Sequence, residues 1–178
     1  MLLKKGIKIL LIVIAVIVAL ALAGLAMVAS ALGKVNEYEG FVQNPEAGNK
    51  AVAIILDGSE YKIELAETIA GRLGTDVRVE AYGLQNLRKI DNEDYDAVVV
   101  MAPVYVGRLQ TGAFRWVNRL KNPDNTILVI TSAGNTDCDV PVDTFTTATL
   151  HEYEVTSEPV EINEMTTRIL TKITDMIN

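Results

Sequence analysis

The chain has 178 residues, 49% of them hydrophobic, and a formal net charge of −7, a length that fits one domain of ordinary size. From Phe41 onward it carries 12 Lys and Arg against 21 Asp and Glu, a net −9 that repels nucleic-acid phosphates and gives no charge attraction to an anionic membrane surface. One cysteine, Cys138, excludes an internal disulfide, and one histidine, His151, argues against a histidine-based metal site.

Ile9 to Leu32 holds no charged residue, and only Gly24 and Ser30 depart from aliphatic or methionine character. At about 1.5 Å per helical residue this run exceeds the ~30 Å hydrocarbon core of a bilayer, and it predicts a transmembrane helix. A cleaved signal peptide is the rival, because Lys4, Lys5 and Lys8 make a positive start and Ala29-Ser30-Ala31 is a small-residue cleavage pattern. The apolar part is longer than the usual ~7–15 residues of a signal core, which favours an uncleaved anchor over residues 1–33, held in the bilayer through 9–32. Three lysines before the span against Lys34 just after it leave the N-terminus in the cytoplasm and the remainder outside. No cysteine follows the span closely, so lipid attachment there is excluded.

Residues 34–50 are polar, with Pro45, two glycines and three asparagines, and read as a linker. A domain over 51–178 follows. Ala51–Leu56 is wholly apolar and predicts a buried strand, closed by Asp57-Gly58-Ser59. Ile63, Leu65, Ala66, Ile69, Ala70 and Leu73 recur at helical spacing, with Gly74 as the stop. Val77, Val79 and Ala81 alternate with Arg78 and Glu80, the pattern of a peripheral strand. A short helix near Leu84–Ile90, a buried strand over Ala97–Met101, a helix near Thr111–Lys121, a turn at 122–125 and a third buried strand over Thr126–Thr131 come next. Tyr153 and Val155 fit a last strand, and Ile162, Met165, Ile169, Leu170, Ile173, Met176 and Ile177 mark an amphipathic terminal helix.

Strands alternating with helices, the central strands apolar throughout, predict a doubly wound parallel five-stranded sheet of order 2-1-3-4-5, preceded by the N-terminal transmembrane helix. Ligands in such sheets sit at the carboxyl ends of the strands, here the loops 57–62, 102–110 and 132–143. The central strand ends in Met101-Ala102-Pro103 rather than in an aspartate, which argues against a phospho-accepting receiver domain.

The stretch Ala102-Pro103-Val104-Tyr105-Val106-Gly107-Arg108, followed by Phe114 and Trp116 in a helix, resembles the flavodoxin family and its membrane-associated and quinone- or haem-pathway relatives. The resemblance spans roughly Ala51 to Asn135. It implies flavin mononucleotide (FMN) bound without covalent attachment, its ring between the 102–108 and 132–139 loops, and electron transfer to a redox partner with no catalytic side chain of the protein's own. The implied contacts are Asp57, Gly58, Ser59, Glu60, Tyr61 and Lys62 at the phosphate, Pro103, Val104, Tyr105, Val106, Gly107 and Arg108 at the ring, and Ser132, Ala133, Gly134 and Asn135 beyond it. Pro103 would fix the chain direction, Gly107 admit a flat ring and Tyr105 flank it; the plainer alternative is that Pro103 and Tyr105 only shape a turn.

The family's phosphate turn is rich in Ser, Thr and Gly and runs into a helix N-terminus. Here Glu60, Tyr61 and Lys62 fill the small and hydroxyl positions, and only Gly58 and Ser59 keep that chemistry. Asp57 and Glu60 within about 4–6 Å of a phosphate would repel it, Lys62 offsetting one of them, or the two acids serve as helix caps. A second function follows from that departure: a flavodoxin-fold module without FMN, acting as an extracytoplasmic binding or structural domain. Asp57, Glu60, Asp137 and Asp139 also raise an all-oxygen cation site, with solvated loop carboxylates as the alternative. Cys138 has no basic sequence neighbour to activate it, and His151 reads as a surface residue.

Overall fold

The structure is a computed structural model that describes residues 2–33, 35–105, 108–120, 123–131, 153–155 and 159–178. The chain divides into two units, Met1–Lys34 and Val35–Asn178. The first is one helix, α1 (Leu2–Gly33), with a stretch at Leu10–Ser30 long and apolar enough to cross a membrane.

The second unit is built on one sheet. Its strands are β1 (Phe41–Gln43), β2 (Lys50–Leu56), β3 (Val77–Gly83), β4 (Ala97–Tyr105), β5 (Arg108–Leu109), β6 (Thr126–Thr131) and β7 (Tyr153–Val155). The sheet runs β1-β3-β2-β4-β6-β7, with β5 paired only to β4. The five strands β3-β2-β4-β6-β7 are parallel throughout, which is the expected 2-1-3-4-5 order. Central position follows from composition: Val52–Leu56 and Ala97–Ala102 are fully buried because both of their faces are covered.

α2 (Glu60–Arg72) and α4 (Pro159–Ile177) cover one face. Leu65, Ala66 and Ile69 of α2 and Ile162, Met165, Ile169 and Ile173 of α4 share a core there with Val52, Ile54, Val99 and Ile127. The other face is covered by α3 (Thr111–Val117) and a 3-10 segment, Leu84–Lys89. Leu84, Leu87, Ala113, Trp116 and Val117 pack there on Ala53, Ile55, Val98 and Val100.

Three expectations need correction. β3 is not an edge strand, because β1 lies outside it, antiparallel, in the register Phe41↔Ala81. The stretch 34–50 is accordingly not a free linker from Val35 onward. Val35 packs on the core of one sheet face, and Tyr38 and Phe41 pack on the core of the other. Gly40 makes the turn into β1 at φ +89°, where a Cβ would overlap the Ala81 carbonyl oxygen. Lastly, β4 does not end at Met101 but runs to Tyr105. Pro103 lies beyond the end of β2, whose pairing with β4 stops at Met101, and opposite Thr131 of β6, and its carbonyl accepts the Gln110 N–H at 3.0 Å.

Candidate functional site

β2 and β4 are neighbours in the sheet, so the turn after Leu56 and the extension after Met101 stand side by side at its carboxyl edge. The turn is Asp57-Gly58-Ser59, and α2 begins at Glu60. Its carboxylate and two of its N–H groups bond within the chain itself. Asp57 and Lys62 are each 4% exposed, and the Lys62 Nζ lies 2.6 Å from Asp57 Oδ2. Asp57 Oδ1 accepts the Ser59 N–H at 3.1 Å. The Gly58 N–H donates to the Asn36 carbonyl at 2.9 Å. Burial holds the Lys62 ammonium below its ordinary pKa, and the Asp57 carboxylate only partly offsets that.

The segment leading into β1 forms a strap over this turn. A Cβ on Gly58 would stand 2.5 Å from the Glu37 carbonyl oxygen, so only glycine allows the two backbones to approach this closely. One residue further on, the Tyr38 carbonyl accepts a bond of 2.7 Å from Gln85 Nε2, beyond the end of β3. The strap thus crosses the carboxyl ends of β2 and β3 before descending as β1.

Beside it, β4 and β5 form a tight ribbon, with Val104↔Leu109 and Tyr105↔Arg108 in register. Val104 and Leu109 are buried on the α3 face. Gln110 caps α3, its Oε1 accepting the Ala113 N–H at 2.8 Å. The expected ring loop is therefore a hairpin seated on the core. Val106 and Gly107 lie outside the described residues, as do Ser132, Ala133, Gly134 and Asn135, together with Asp137, Cys138, Asp139 and His151. Among the described residues no group of three or more acidic, histidine or cysteine side chains is placed to hold a metal ion.

No family model matches the chain, and no curated protein does. Solved structures do. A flavodoxin from the domain Archaea matches with a TM-score of 0.52 at 7% identity, over 72% of this chain and 99% of its own. The flavodiiron core of Flv1 from Synechocystis sp. PCC6803 matches with a TM-score of 0.52 at 13% identity, over 75% of this chain and 37% of its own. The fold is flavodoxin-like.

The family resemblance read from the sequence implies FMN, and the turn after β2 does not fit its phosphate. The N–H groups of Gly58 and Ser59 are already bonded to Asn36 and Asp57. A phosphate would have to replace Asp57 as the partner of Lys62 and meet a buried carboxylate at close range. The Asp57 carboxylate itself occupies the role of the anion. Of the residues expected at the phosphate, Asp57, Gly58, Ser59 and Lys62 do converge, but on one another.

Sequence reasoning missed the strap. Its mark was Tyr38, Phe41 and Val42 within an otherwise polar stretch, too much apolar surface for a solvated tether. It also missed a polar cluster on β3. Glu80 Oε2 accepts from the hydroxyl of Tyr82 and, at 2.7 Å, from that of Tyr95, while Arg78 Nε lies 3.3 Å from Oε1. Burial alone would raise the Glu80 pKa, yet the two phenol bonds and Arg78 outweigh it and hold the carboxyl below its ordinary value. Burial first, and then hydrogen bonds within the cluster, push the Tyr95 hydroxyl well above its ordinary range.

Proposed function

We propose that this chain is a membrane-tethered flavodoxin-fold module that has given up FMN and serves as a binding or structural domain outside the cytoplasm. One observation carries this reading: the turn that would hold the cofactor's phosphate is filled by the buried Asp57–Lys62 pair and roofed by Asn36 and Glu37. Helix α1 supports the tether, and Lys4, Lys5 and Lys8 before the apolar stretch favour a cytoplasmic N-terminus. The rival reading is an FMN-binding electron carrier. In its favour stand the likeness of fold and the position of the Val104–Leu109 hairpin at the carboxyl edge, where such sheets bind ligands.

The two readings separate in a simple preparation. The full chain is purified in a non-ionic detergent, and FMN fluorescence is followed as protein is added. A colourless protein that leaves the fluorescence unquenched is the expected result. A yellow preparation, or saturable quenching at one FMN per chain, restores the electron carrier.

A further inference from the structure

Away from the carboxyl edge, the 3-10 segment Leu84–Lys89 and the end of α3 enclose a cleft of about 330 Å³. Arg88 and Lys89 stand on one wall, Arg115 and Arg119 on the other, with Ile90 and Trp116 between them. Two sets of bonds make this a built feature. The Trp116 indole N–H donates to the Ile90 carbonyl at 2.9 Å, which pins one wall to the other. Below it, buried Asn92 donates to Asn125 Oδ1 at 2.9 Å, and Asn125 Nδ2 donates in return to the Asn92 and Tyr95 carbonyls. Asn92 comes shortly before β4 and Asn125 directly before β6, so the cleft floor is anchored at the amino ends of the central strands.

The charge here runs against the rest of the unit. Four of the 12 Lys and Arg beyond Phe41 line this one cleft, with Asp91 as the only acid among the lining residues. The Asp91 carboxylate is engaged locally, with Oδ1 accepting the Glu93 N–H at 3.2 Å. Among the described residues none of the four cations makes an ion pair, and Lys89 has only a 3.5 Å bond to Asn86 Oδ1. Arg115 lies in the last turn of α3 and Arg119 two residues beyond its end, so both bring positive charge to the same cleft. Cations gathered this way lower their mutual repulsion by sharing an anion, and guanidinium forks match phosphate oxygens two at a time.

We propose that this cleft binds a small phosphate-bearing anion. Its volume suits a compact group, and the net −9 of the chain from Phe41 onward repels a long polyanion such as nucleic acid. A soluble phosphate compound and the headgroup of an anionic phospholipid offer the same chemistry. The cleft is remote from the phosphate turn, so this inference stands whether or not FMN binds.

Trp116 is the chain's single tryptophan, and its fluorescence therefore reports on the cleft directly. The full chain in a non-ionic detergent is titrated at low salt with inorganic pyrophosphate and, separately, with glycerophosphoglycerol, the water-soluble headgroup of phosphatidylglycerol. A saturable change with either probe is expected, and the tighter probe identifies the source. Each arginine lost from a charge-assisted contact weakens binding about tenfold, so R115Q/R119Q should cost about a hundredfold, while K172Q on the opposite face changes nothing. If circular dichroism shows that R115Q/R119Q has lost its fold, R88Q/K89Q on the other wall takes its place. No saturable change with either probe, or binding that survives removal of the cations, overturns the proposal.

Discussion

Asp57 and Lys62 set the character of the site, and their energetics are asymmetric. A buried ion pair adds little net stability over well-packed neutral groups, but removing one partner strands the other. Asp57→Ala should therefore cost about 3–5 kcal/mol in urea denaturation of the full chain in detergent, by leaving a buried ammonium uncompensated. Asp57→Asn combined with Lys62→Met should recover most of that loss, because the amide oxygen still accepts the Ser59 N–H and no charge remains. Thr166 offers a contrast. It is fully buried in α4, and its hydroxyl has no hydrogen-bond partner among the described residues. Thr166→Val should leave the denaturation midpoint unchanged or raise stability by about 1 kcal/mol. The Glu80 cluster fixes a pH response. With its folded pKa below the ordinary value of 4.5, Glu80 contributes stability above pH 4.5 that is lost as pH falls toward the folded value. Tyr95, raised above its ordinary 10.0, contributes stability below pH 10 that is lost as pH climbs. Glu80→Gln should flatten the acid limb of a stability-against-pH curve, and an unchanged limb would remove the cluster from this account.

At the scale of elements, the sequence showed most clearly what was driven by burial on two faces. Ala51–Leu56, Ala97–Met101 and Ile127–Ile130 are apolar throughout because helices cover both sides, and their shortness favours strand over buried helix. The amphipathic α4 was legible for the same reason. β1 was not, since three residues paired at an edge carry too little periodicity to register, and Pro45 with the flanking glycines and asparagines resembles any tether. The extension of β4 through Pro103 was hidden as well, because a proline after an apolar run reads as the end of a strand. The acidic turn was visible in sequence, but its closure was not: nothing local reveals that Gly58 serves the passage of Glu37 overhead. The strap is testable through its own glycine. Gly40→Ala must hold a left-handed backbone and press on Ala81, so it should cost about 1–2 kcal/mol and speed hydrogen exchange across Phe41–Gln43 and its partners Val79–Ala81.

The whole molecule is an apolar helix and a flavodoxin-like unit in which a strap crosses the turn after β2 and a basic cleft lies on the flank. The topology part is checked by fusing a periplasm-type reporter enzyme to the C-terminus: activity on the outer side is expected, and activity confined to the cytoplasm would reverse the orientation. The central claim is that the phosphate turn bonds to its own chain. Amide hydrogen exchange at Gly58 and Ser59, measured by NMR on the full chain in detergent micelles with and without FMN, tests it most directly. Both amides should be protected without the cofactor, and their resonances should stay fixed when it is added. Rapid exchange that FMN slows, with both resonances shifting, would contradict it.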